Sequence, residues 1–336
     1  MFNYVQPAQQ RLVFATKNCH LCIMVWREDI TAYTHYCEAN AAIVPLFYTP
    51  QWLEAVVDKG SCRFWVAQQS GETVALFAGH YRKKYGLKVL LMPQLTPYMG
   101  IWTPVMYNDD WVRELTAELL RQLPSVFFTS LCLYPGIKDV MPWKWKGYQQ
   151  QTRFTYVIEA AEKSVYHKSI QGKLHNHIKY ATERLTIVTS ADLQALLPLV
   201  KDSFEQQGLP LPYPEKLLEK IVACKFAKAR ITLALDQNQK AHAALLTVED
   251  AHTVYNLVSG RKNQAIRGAM PFLLNEAIER AMDQGKNFDF EGSSIQRIAT
   301  FFASFGGKLT PFHHVYRSAY RLTDAIIALI GKYKAQ

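Results

Sequence analysis

The residues best suited to bind an anion lie between Arg261 and Pro271. This segment reads as the end of a strand, a loop that carries Lys262 and Arg267, and then Gly268 at the start of a predicted helix. A helix N-terminus preceded by glycine offers free backbone N–H groups and the positive end of the helix macrodipole. Pro271 suits the first helical turn, where its missing N–H would have no partner in any case. The pattern therefore predicts a site for a pyrophosphate.

The elements that carry this loop occur twice in the chain. Two predicted hairpins, 64–78 and 231–246, have the same layout, and Ala67 aligns with Ala234 at an offset of 167 residues. Each hairpin is followed by a strand, an amphipathic helix and a short apolar strand. The predicted segments are 88–92, 111–122 and 126–133 in the first copy, and 252–258, 270–284 and 287–290 in the second. The pattern predicts an internal repeat of one α+β unit.

The 336 residues suit two domains, which we divide into 1–162 and 163–336. A polar stretch near residues 160–164 follows a predicted strand and marks this boundary. The second unit opens with a predicted basic helix over 165–184. A last helix, predicted over 323–334, has Ile326, Ile327 and Ile330 on its apolar face. We expect it to cap the core of the protein, with docking on a membrane as the alternative.

Composition and charge exclude several classes of protein. Hydrophobic residues make up 49% of the chain and charged residues 20%, which excludes a disordered chain. The net charge of +10 favours anionic partners such as phosphorylated cofactors, nucleic acid or an acidic membrane surface; a generally basic surface is the alternative. The uncharged run 89–108 contains Pro93, Pro97 and Pro104, so it cannot form a continuous transmembrane helix. We expect a soluble, cytoplasmic protein without stable membrane insertion.

The six cysteines do not indicate a metal centre. The segment Cys19-His20-Leu21-Cys22 resembles half of a zinc site, but the second pair of ligands that a structural zinc needs is missing from the sequence. We therefore predict no metal cofactor.

Several segments together resemble the GNAT superfamily of acyl-CoA-dependent N-acyltransferases. The matching motifs are Phe288-Asp-Phe-Glu-Gly292 after the long helix, Phe301-Phe-Ala-Ser-Phe-Gly-Gly307, Tyr316 beyond it, Phe47-Tyr-Thr-Pro-Gln-Trp-Leu53 and His175-Asn-His-Ile-Lys-Tyr-Ala181. The last two are similar to segments of the tandem branch, which includes the Fem-type aminoacyltransferases of peptidoglycan synthesis. The resemblance implies two GNAT-like domains, each with a mixed central sheet flanked by helices. It covers nearly the whole chain.

The resemblance also implies a mechanism and its residues. In GNAT proteins an amine attacks the acyl carbonyl directly, which calls for a base, a donor to the carbonyl oxygen and an acid. Glu291 is the candidate base, directly or through water. Asp289 lies two residues away and is either its companion or a structural residue that caps neighbouring backbone. Tyr316 and Tyr255 are candidate acids, with a core or rim position as the alternative for each.

The other expected contacts concern the two substrates. Acyl-CoA would be held by the backbone around Leu257, Val258 and Ser259 and by the loop residues Arg267, Gly268 and Ala269. His175, Lys179 and Tyr255 are candidates for binding the acceptor. For His175 and Lys179 a solvated helix face is the alternative.

Three functions follow from these expectations. The first is an N-acyltransferase that uses acyl-CoA as co-substrate and acts on a small-molecule primary amine. The second is a Fem-type aminoacyltransferase that takes its acyl group from charged tRNA and acts on a cell-wall precursor. The third is a catalytically silent binding module. The loop 93–103 of the first unit is rich in proline and aromatic residues and offers no anion cradle, so we expect the donor site in the second unit.

Overall fold

The computed structural model describes residues 24–105, 108–292 and 295–319. Within these residues all the strands belong to one mixed sheet. The strands are β1 (Val25–Glu28), β2 (Cys62–Gln69), β3 (Glu72–Lys84), β4 (Leu87–Leu91), β5 (Gly100–Trp102), β6 (Phe128–Cys132), β7 (Gln149–Ile158), β8 (Thr186–Ser190), β9 (Arg230–Leu235), β10 (Ala241–Glu249), β11 (Thr253–Arg261), β12 (Asn287–Asp289) and β13 (Lys308–Ser318). The helices are α1 (Ile30–Ala39), α2 (Pro50–Val56), α3 (Asp109–Gln122), α4 (Met141–Trp145), α5 (Lys163–Ser169), α6 (Gly172–Thr182), α7 (Leu197–Glu205), α8 (Glu215–Ala223), α9 (Ala269–Asp283) and α10 (Gln296–Ala303).

Both predicted hairpins are present, as β2–β3 and β9–β10. The predicted amphipathic helices form α3 and α9, and each buries the apolar face that its period indicates. On α9 the buried residues include Leu273, Leu274, Ala277, Ile278 and Ala281. The apolar periodicity of the sequence was sufficient to predict these elements, because each of them buries one continuous face.

In the second unit, two neighbouring parallel strands, β11 and β12, separate and leave an opening between them. β11 and β12 run parallel, and their pairing begins at Thr253–Asn287 and ends at Tyr255–Asp289. On its other side β11 pairs with β10, where Val258 faces Leu246 and Asn256 faces Thr247. Leu257 is therefore an extra residue in β11, which makes a β-bulge just beyond the point where β12 diverges.

The two units exchange their last strands. β7, from the end of the first unit, pairs with β12 of the second unit, and β13, from the end of the second, pairs with β6 of the first. β7 and β13 also pair with each other from Val157–Lys308 to Gln149–Tyr316. The sheet thus runs without a break through both units. The division at residues 162 and 163 stays a prediction, and the strand that precedes it lies within the sheet of the second unit.

The core is likewise shared between the units. In the second unit, a cluster of buried side chains on one face of the sheet, under α7 and α8, is continuous with the core of the first unit. For example, the ring of Phe47 packs edge-on against Tyr255, with the ring centroids 4.6 Å apart. A second cluster lies under α6, α9 and α10 on the other face. The first cluster fixes how the two units face each other.

The prediction of one basic helix over 165–184 is wrong. Two helices, α5 and α6, occupy this range and are separated by Ile170 and Gln171, whose backbones are extended. Gln171 donates its N–H to the carbonyl of Ser304 at 3.0 Å, and Ile170 is buried. These tertiary contacts outweigh the local helix propensity and turn α6 towards α9.

Two sequence-based predictions lie outside the described residues: the half zinc motif at Cys19 to Cys22 and the helix over 323–334. Among the residues that are described, no helix is long and apolar enough to cross a bilayer. The same residues contain no cluster of three or more metal-ligating side chains.

Candidate functional site

A pocket of about 440 Å³ lies at the N-terminus of α9, between α6 and α10. Its lining residues are His177, Arg261, Ala265, Ile266, Arg267, Gly268, Ala269, Met270, Pro271, Arg297, Ile298 and Phe301. Of the six predicted cofactor residues, Arg267, Gly268 and Ala269 line this pocket, whereas Leu257, Val258 and Ser259 do not. The pocket combines cationic side chains with an apolar wall, as a ligand with a charged and an apolar portion requires.

Gly268 determines how closely α6 approaches this helix end. It is the N-cap of α9, with φ of 85°, a conformation that favours glycine. A Cβ atom added to it would lie 2.0 Å from the carbonyl oxygen of His177 on α6. Only a residue without a side chain fits between the two helices. No side chain caps α9, so its positive end is directed at the pocket.

Three arginines add positive charge around this helix end. Arg261 ends β11, Arg267 precedes the N-cap, and Arg297 lies in the first turn of α10. None of the three forms an ion pair with a carboxylate of residues 24–105, 108–292 or 295–319. The guanidinium of Arg267 stacks on the ring of Tyr180, 4.8 Å from its centroid. Uncompensated cations at a helix N-terminus form an anion-binding site.

His177 and Arg297 were not predicted from the sequence as site residues. The pKa of His177 is lowered by burial and by the charges of Arg267 and Lys173, so the ring is neutral at physiological pH. His175 and Lys179, which were predicted instead, are exposed. They lie two positions from His177 on α6 and so point to the opposite side of the helix.

The loop that carries Arg267 is fastened by a second histidine. His242 on β10 accepts the backbone N–H of Ile266 at Nδ1, 3.1 Å away, while its Nε2 lies 3.1 Å from the carboxylate of Asp236. Because Nδ1 is an acceptor, the proton of the neutral ring is on Nε2. The carbonyl of His242 also accepts the N–H of Lys262 at 3.0 Å. One residue thus holds both ends of the loop.

Glu291 lies beyond β12 in a strained backbone conformation. Its φ is 59° and that of Gly292 is 75°. A side chain at Gly292 would place its Cβ 2.2 Å from the carbonyl oxygen of Phe154, so the turn depends on glycine. Non-glycine residues with positive φ concentrate at functional sites, where the surrounding fold maintains the strain.

The carboxyl group of Glu291 is buried, and Oε1 has no hydrogen-bond partner among the described residues. Burial, and to a lesser degree the charge of Asp289, raises the pKa of Glu291 well above its ordinary value. A buried acceptor without a partner is costly to leave unsatisfied. It is available to a donor that enters from outside the protein.

Asp289 is fully hydrogen-bonded. It accepts from the hydroxyl of Thr155 at 2.6 Å, from the backbone N–H of Glu291 at 2.8 Å and from the hydroxyl of Tyr98 at 2.9 Å. Burial raises the pKa of Asp289, whereas these three donors act in the opposite direction. Asp289 therefore caps the neighbouring backbone and shapes the turn at Glu291. Tyr98 comes from the first unit, so both units build this corner.

Tyr255 pairs with Asp289 in the sheet, but neither predicted acid is hydrogen-bonded to Glu291. The hydroxyl of Tyr255 donates to Asp250 at 2.9 Å, and the side chain is buried against Phe47. Tyr316 pairs with Gln149, whereas Thr155, which touches the site, pairs with Thr310. The offset of six positions from Thr310 to Tyr316 corresponds to about 20 Å along the strand. Two other tyrosines, Tyr98 and Tyr213, are the ones whose pKa responds to the charge of Glu291.

The corresponding gap of the first unit is closed. β4 and β6 run parallel up to Leu91–Ser130, and Met99 then forms a parallel bridge with Leu133. Tyr98 and Met99 are buried there. In the first unit, the loop between β4 and β5 thus fills the space that corresponds to the opening between β11 and β12 of the second unit.

Solved structures with the same architecture include FemX, with a TM-score of 0.65, 12% identity and coverage of 86% of this chain and 96% of FemX. The C-terminal domain of a putative lysylphosphatidylglycerol synthetase from Agrobacterium fabrum matches with a TM-score of 0.56, 12% identity and coverage of 89% and 95%. A tandem GNAT protein from the clavulanic acid biosynthesis pathway matches with a TM-score of 0.50, 9% identity and coverage of 89% and 99%. The chain has the tandem GNAT fold. The expectation of two α+β units with mixed sheets and flanking helices is confirmed.

No family model matches this sequence, and no curated protein does. At sequence identities of 9–12%, the structural likeness establishes the fold and carries no statement about activity or substrate.

Proposed function

We propose that the protein is an N-acyltransferase that transfers an acyl group from acyl-CoA to a primary amine. The observation that carries this proposal is the N-terminus of α9, which no side chain caps and which is surrounded by Arg261, Arg267 and Arg297; none of the three has an acidic partner in the described part of the chain. The N–H of Ala269 already donates to the carbonyl of Ile266 at 3.1 Å. A pyrophosphate would accept from the N–H groups of the first turn that lack a backbone acceptor, and it would compensate the cations.

The pocket fits the phosphate portion of acyl-CoA. Gly268 lets the backbone of α6 pack directly against the start of α9, and this contact shapes one wall of the pocket. Arg267, Gly268 and Ala269 would hold the pyrophosphate, while Ile266, Ile298 and Phe301 supply the apolar wall. When bound, the thioester supplies an activated acyl carbonyl.

β12 stops pairing with β11 after Tyr255, and the bulge at Leu257 follows on β11, which continues to Arg261 at the pocket. A bulged strand that has lost its neighbour leaves backbone N–H groups unpaired on that side. We assign to the backbone of Leu257, Val258 and Ser259 the role of donor to the acyl oxygen. Fixed backbone dipoles stabilise a developing oxyanion without having to reorganise.

Glu291 serves as the base that removes a proton from the attacking amine. Its raised pKa brings the carboxylate closer to the pKa at which proton transfer is efficient near neutral pH. Its unpartnered Oε1 is free to accept a hydrogen bond from an ammonium group. Asp289 holds the backbone of Glu291 in place and is itself held by Thr155 and Tyr98.

The first unit supplies a wall for the acceptor rather than a second donor site. The bridge between Met99 and Leu133 fills its cleft, and Tyr98 extends from there to Asp289. On the opposite side, Gln94 donates to the carbonyl of Pro212, next to Tyr213. These contacts place the loop 93–98 against the loop 209–213 beside Glu291.

A second candidate is a tRNA-dependent aminoacyltransferase that acts on a cell-wall precursor. Its support is the net charge of +10 together with the three uncompensated arginines, which suit a polyanion as well as a coenzyme. The structural likeness to FemX agrees with this candidate at the level of the fold.

The test is the release of free thiol from acetyl-CoA and longer acyl-CoAs in the presence of primary amines. We expect turnover by the wild type, and a rate at least about 100-fold lower for Glu291→Gln. Glu219→Gln, at an exposed carboxylate of α8, is the matched control and should leave the rate unchanged.

The alternatives give different results in parallel binding measurements. Absence of thioester turnover together with strongly salt-dependent affinity for charged tRNA would favour the aminoacyltransferase. Binding of neither donor would identify a silent module and refute both catalytic proposals.

A further inference from the structure

The hairpin between β3 and β4 presents a cluster of cations that form no ion pair with an acidic side chain of the described residues. Residues 82–88, which we call the basic hairpin, read Arg-Lys-Lys-Tyr-Gly-Leu-Lys and are all exposed. In the described part of the chain, Arg82, Lys83, Lys84 and Lys88 take part in no salt bridge. Four uncompensated positive charges on one short hairpin form a local field that attracts anions.

The tip of the basic hairpin carries a tyrosine in an unfavourable place. Tyr85 has φ of 51° and Gly86 has φ of 78°, so both central residues of the turn are left-handed. This turn type prefers Asn-Gly, because a larger side chain at positive φ is strained. Tyr85 is nevertheless present and is 92% exposed. Its ring contacts the ammonium of Lys84, 5.8 Å from the ring centroid, and is otherwise open to solvent.

A second local feature also disfavours the free hairpin. Lys83 and Lys88 face each other directly across the two strands. Like charges in such a cross-strand pair repel and destabilise the hairpin. A strained aromatic residue and a pair of opposed lysines occur at the same tip, and an anionic surface would relieve the repulsion while it receives the ring.

We propose that the basic hairpin docks the protein on a membrane surface that contains anionic phospholipids. Lysine and arginine side chains bind the negatively charged headgroups, and tyrosine rings are enriched at the level of the headgroups, where both their apolar and polar parts are accommodated. Leu87, two positions after Tyr85, is 43% exposed. This apolar side chain favours contact with a lipid surface over contact with a nucleic acid.

The described chain ends at Ala319, at the same end of the strands as the basic hairpin. The carbonyl of Lys88 accepts the N–H of Phe127, and the carbonyl of Phe127 accepts the N–H of Ala319. The sequence that continues from Ala319 contains the apolar run Ala325-Ile-Ile-Ala-Leu-Ile330 and then Lys332-Tyr-Lys334. An apolar run next to basic and aromatic residues suits a lipid interface and not an RNA backbone.

The experiment is co-sedimentation of the full chain with vesicles of phosphatidylcholine, with and without phosphatidylglycerol. We expect binding only when phosphatidylglycerol is present, and weaker binding as salt is raised. Replacing Arg82, Lys83, Lys84 and Lys88 by Gln should reduce partitioning by at least about 100-fold, since each cation near such a surface contributes roughly fivefold. The control replaces Lys216, Lys220, Lys225 and Lys228, which lie on and after α8, with Gln; all four are exposed, so the same charge is removed elsewhere.

A single substitution separates docking from folding. Tyr85→Asn should weaken vesicle binding and at the same time raise the thermal midpoint, because Asn accepts the left-handed turn. A misfolded variant would lower both. Equal losses in the two lysine series, or equal binding to neutral vesicles, would overturn the proposal. So would a hairpin variant that loses affinity for tRNA while its vesicle binding is unchanged.

Discussion

Replacing Gly268 by Ala tests whether the contact between α6 and α9 shapes the anion pocket. The new Cβ would lie 2.0 Å from the carbonyl oxygen of His177 and 3.2 Å from the Cβ of Ala181. Both contacts are too short, and the nearer one is to backbone, so α6 must move away. The φ of 85° adds strain that glycine does not feel.

The magnitude follows from these two contributions. A left-handed conformation costs a non-glycine residue about 1–2 kcal/mol. Overpacking against backbone costs about 1–3 kcal/mol more. We therefore expect Gly268→Ala to lower the free energy of unfolding by about 2–5 kcal/mol. Displacement of the pocket wall should weaken acetyl-CoA binding by about tenfold or more.

Gly285→Ala is the matched control. Gly285 follows the other end of α9 with φ of 67°, but a Cβ there would meet nothing within 4 Å. It should show the conformational contribution alone, about 1–2 kcal/mol, with unchanged donor affinity. Urea unfolding gives the stabilities, and calorimetric titration with acetyl-CoA gives the affinities. Equal loss of stability in the two variants, or unchanged affinity in Gly268→Ala, would refute the steric reasoning.

Three further substitutions address other parts of the site. Glu291→Gln should lower the rate of amine acylation by at least about 100-fold, yet raise the free energy of unfolding at neutral pH by about 1–3 kcal/mol, because it removes a buried carboxyl group whose charged form is disfavoured in the folded protein. Folding raises the pKa of Glu291, so the wild type should lose stability relative to this variant as pH rises from the ordinary pKa of about 4.3 through the folded-state pKa. If the free energy of unfolding in urea had the same pH dependence in both proteins, the pKa shift would be contradicted. His242→Ala leaves the N–H of Ile266 without its acceptor and should weaken acetyl-CoA binding by about tenfold in calorimetry, and unchanged affinity would mean that the loop holds itself. Tyr98→Phe removes a donor from buried Asp289 and should cost about 1–3 kcal/mol in urea unfolding, an effect that should be smaller when Asp289 is already Asn; additive losses would argue against direct coupling.

The elements with a clear local period were predictable from the sequence. α9 and the two hairpins follow from their apolar spacing and turn residues. The exchange of β7 and β13 was not predictable, because strand pairing joins residues more than a hundred positions apart and leaves no local mark. The break between α5 and α6 was missed for a similar reason, since it depends on the contact of Gln171 with Ser304.

The site was predicted in part. Gly268 and Arg267 could be found because a glycine before a helix has a specific backbone use. Arg297 was missed, although a cation in the first turn of a helix is unfavourable and therefore a signal for an anionic ligand. Tyr98 could not have been assigned, since only the packing of the two units brings it to Asp289.

The most direct test of the donor site is calorimetric titration of acetyl-CoA into the wild type, Arg267→Ala and Arg184→Ala. Both arginines stack on the ring of Tyr180, at 4.8 and 3.8 Å from its centroid, but only Arg267 lines the pocket. If the N-terminus of α9 binds the pyrophosphate, Arg267→Ala weakens binding by at least about tenfold, as expected for the loss of a charged hydrogen bond, and Arg184→Ala leaves it unchanged. Wild-type affinity in Arg267→Ala, or equal losses in both variants, would contradict a donor site at this helix end.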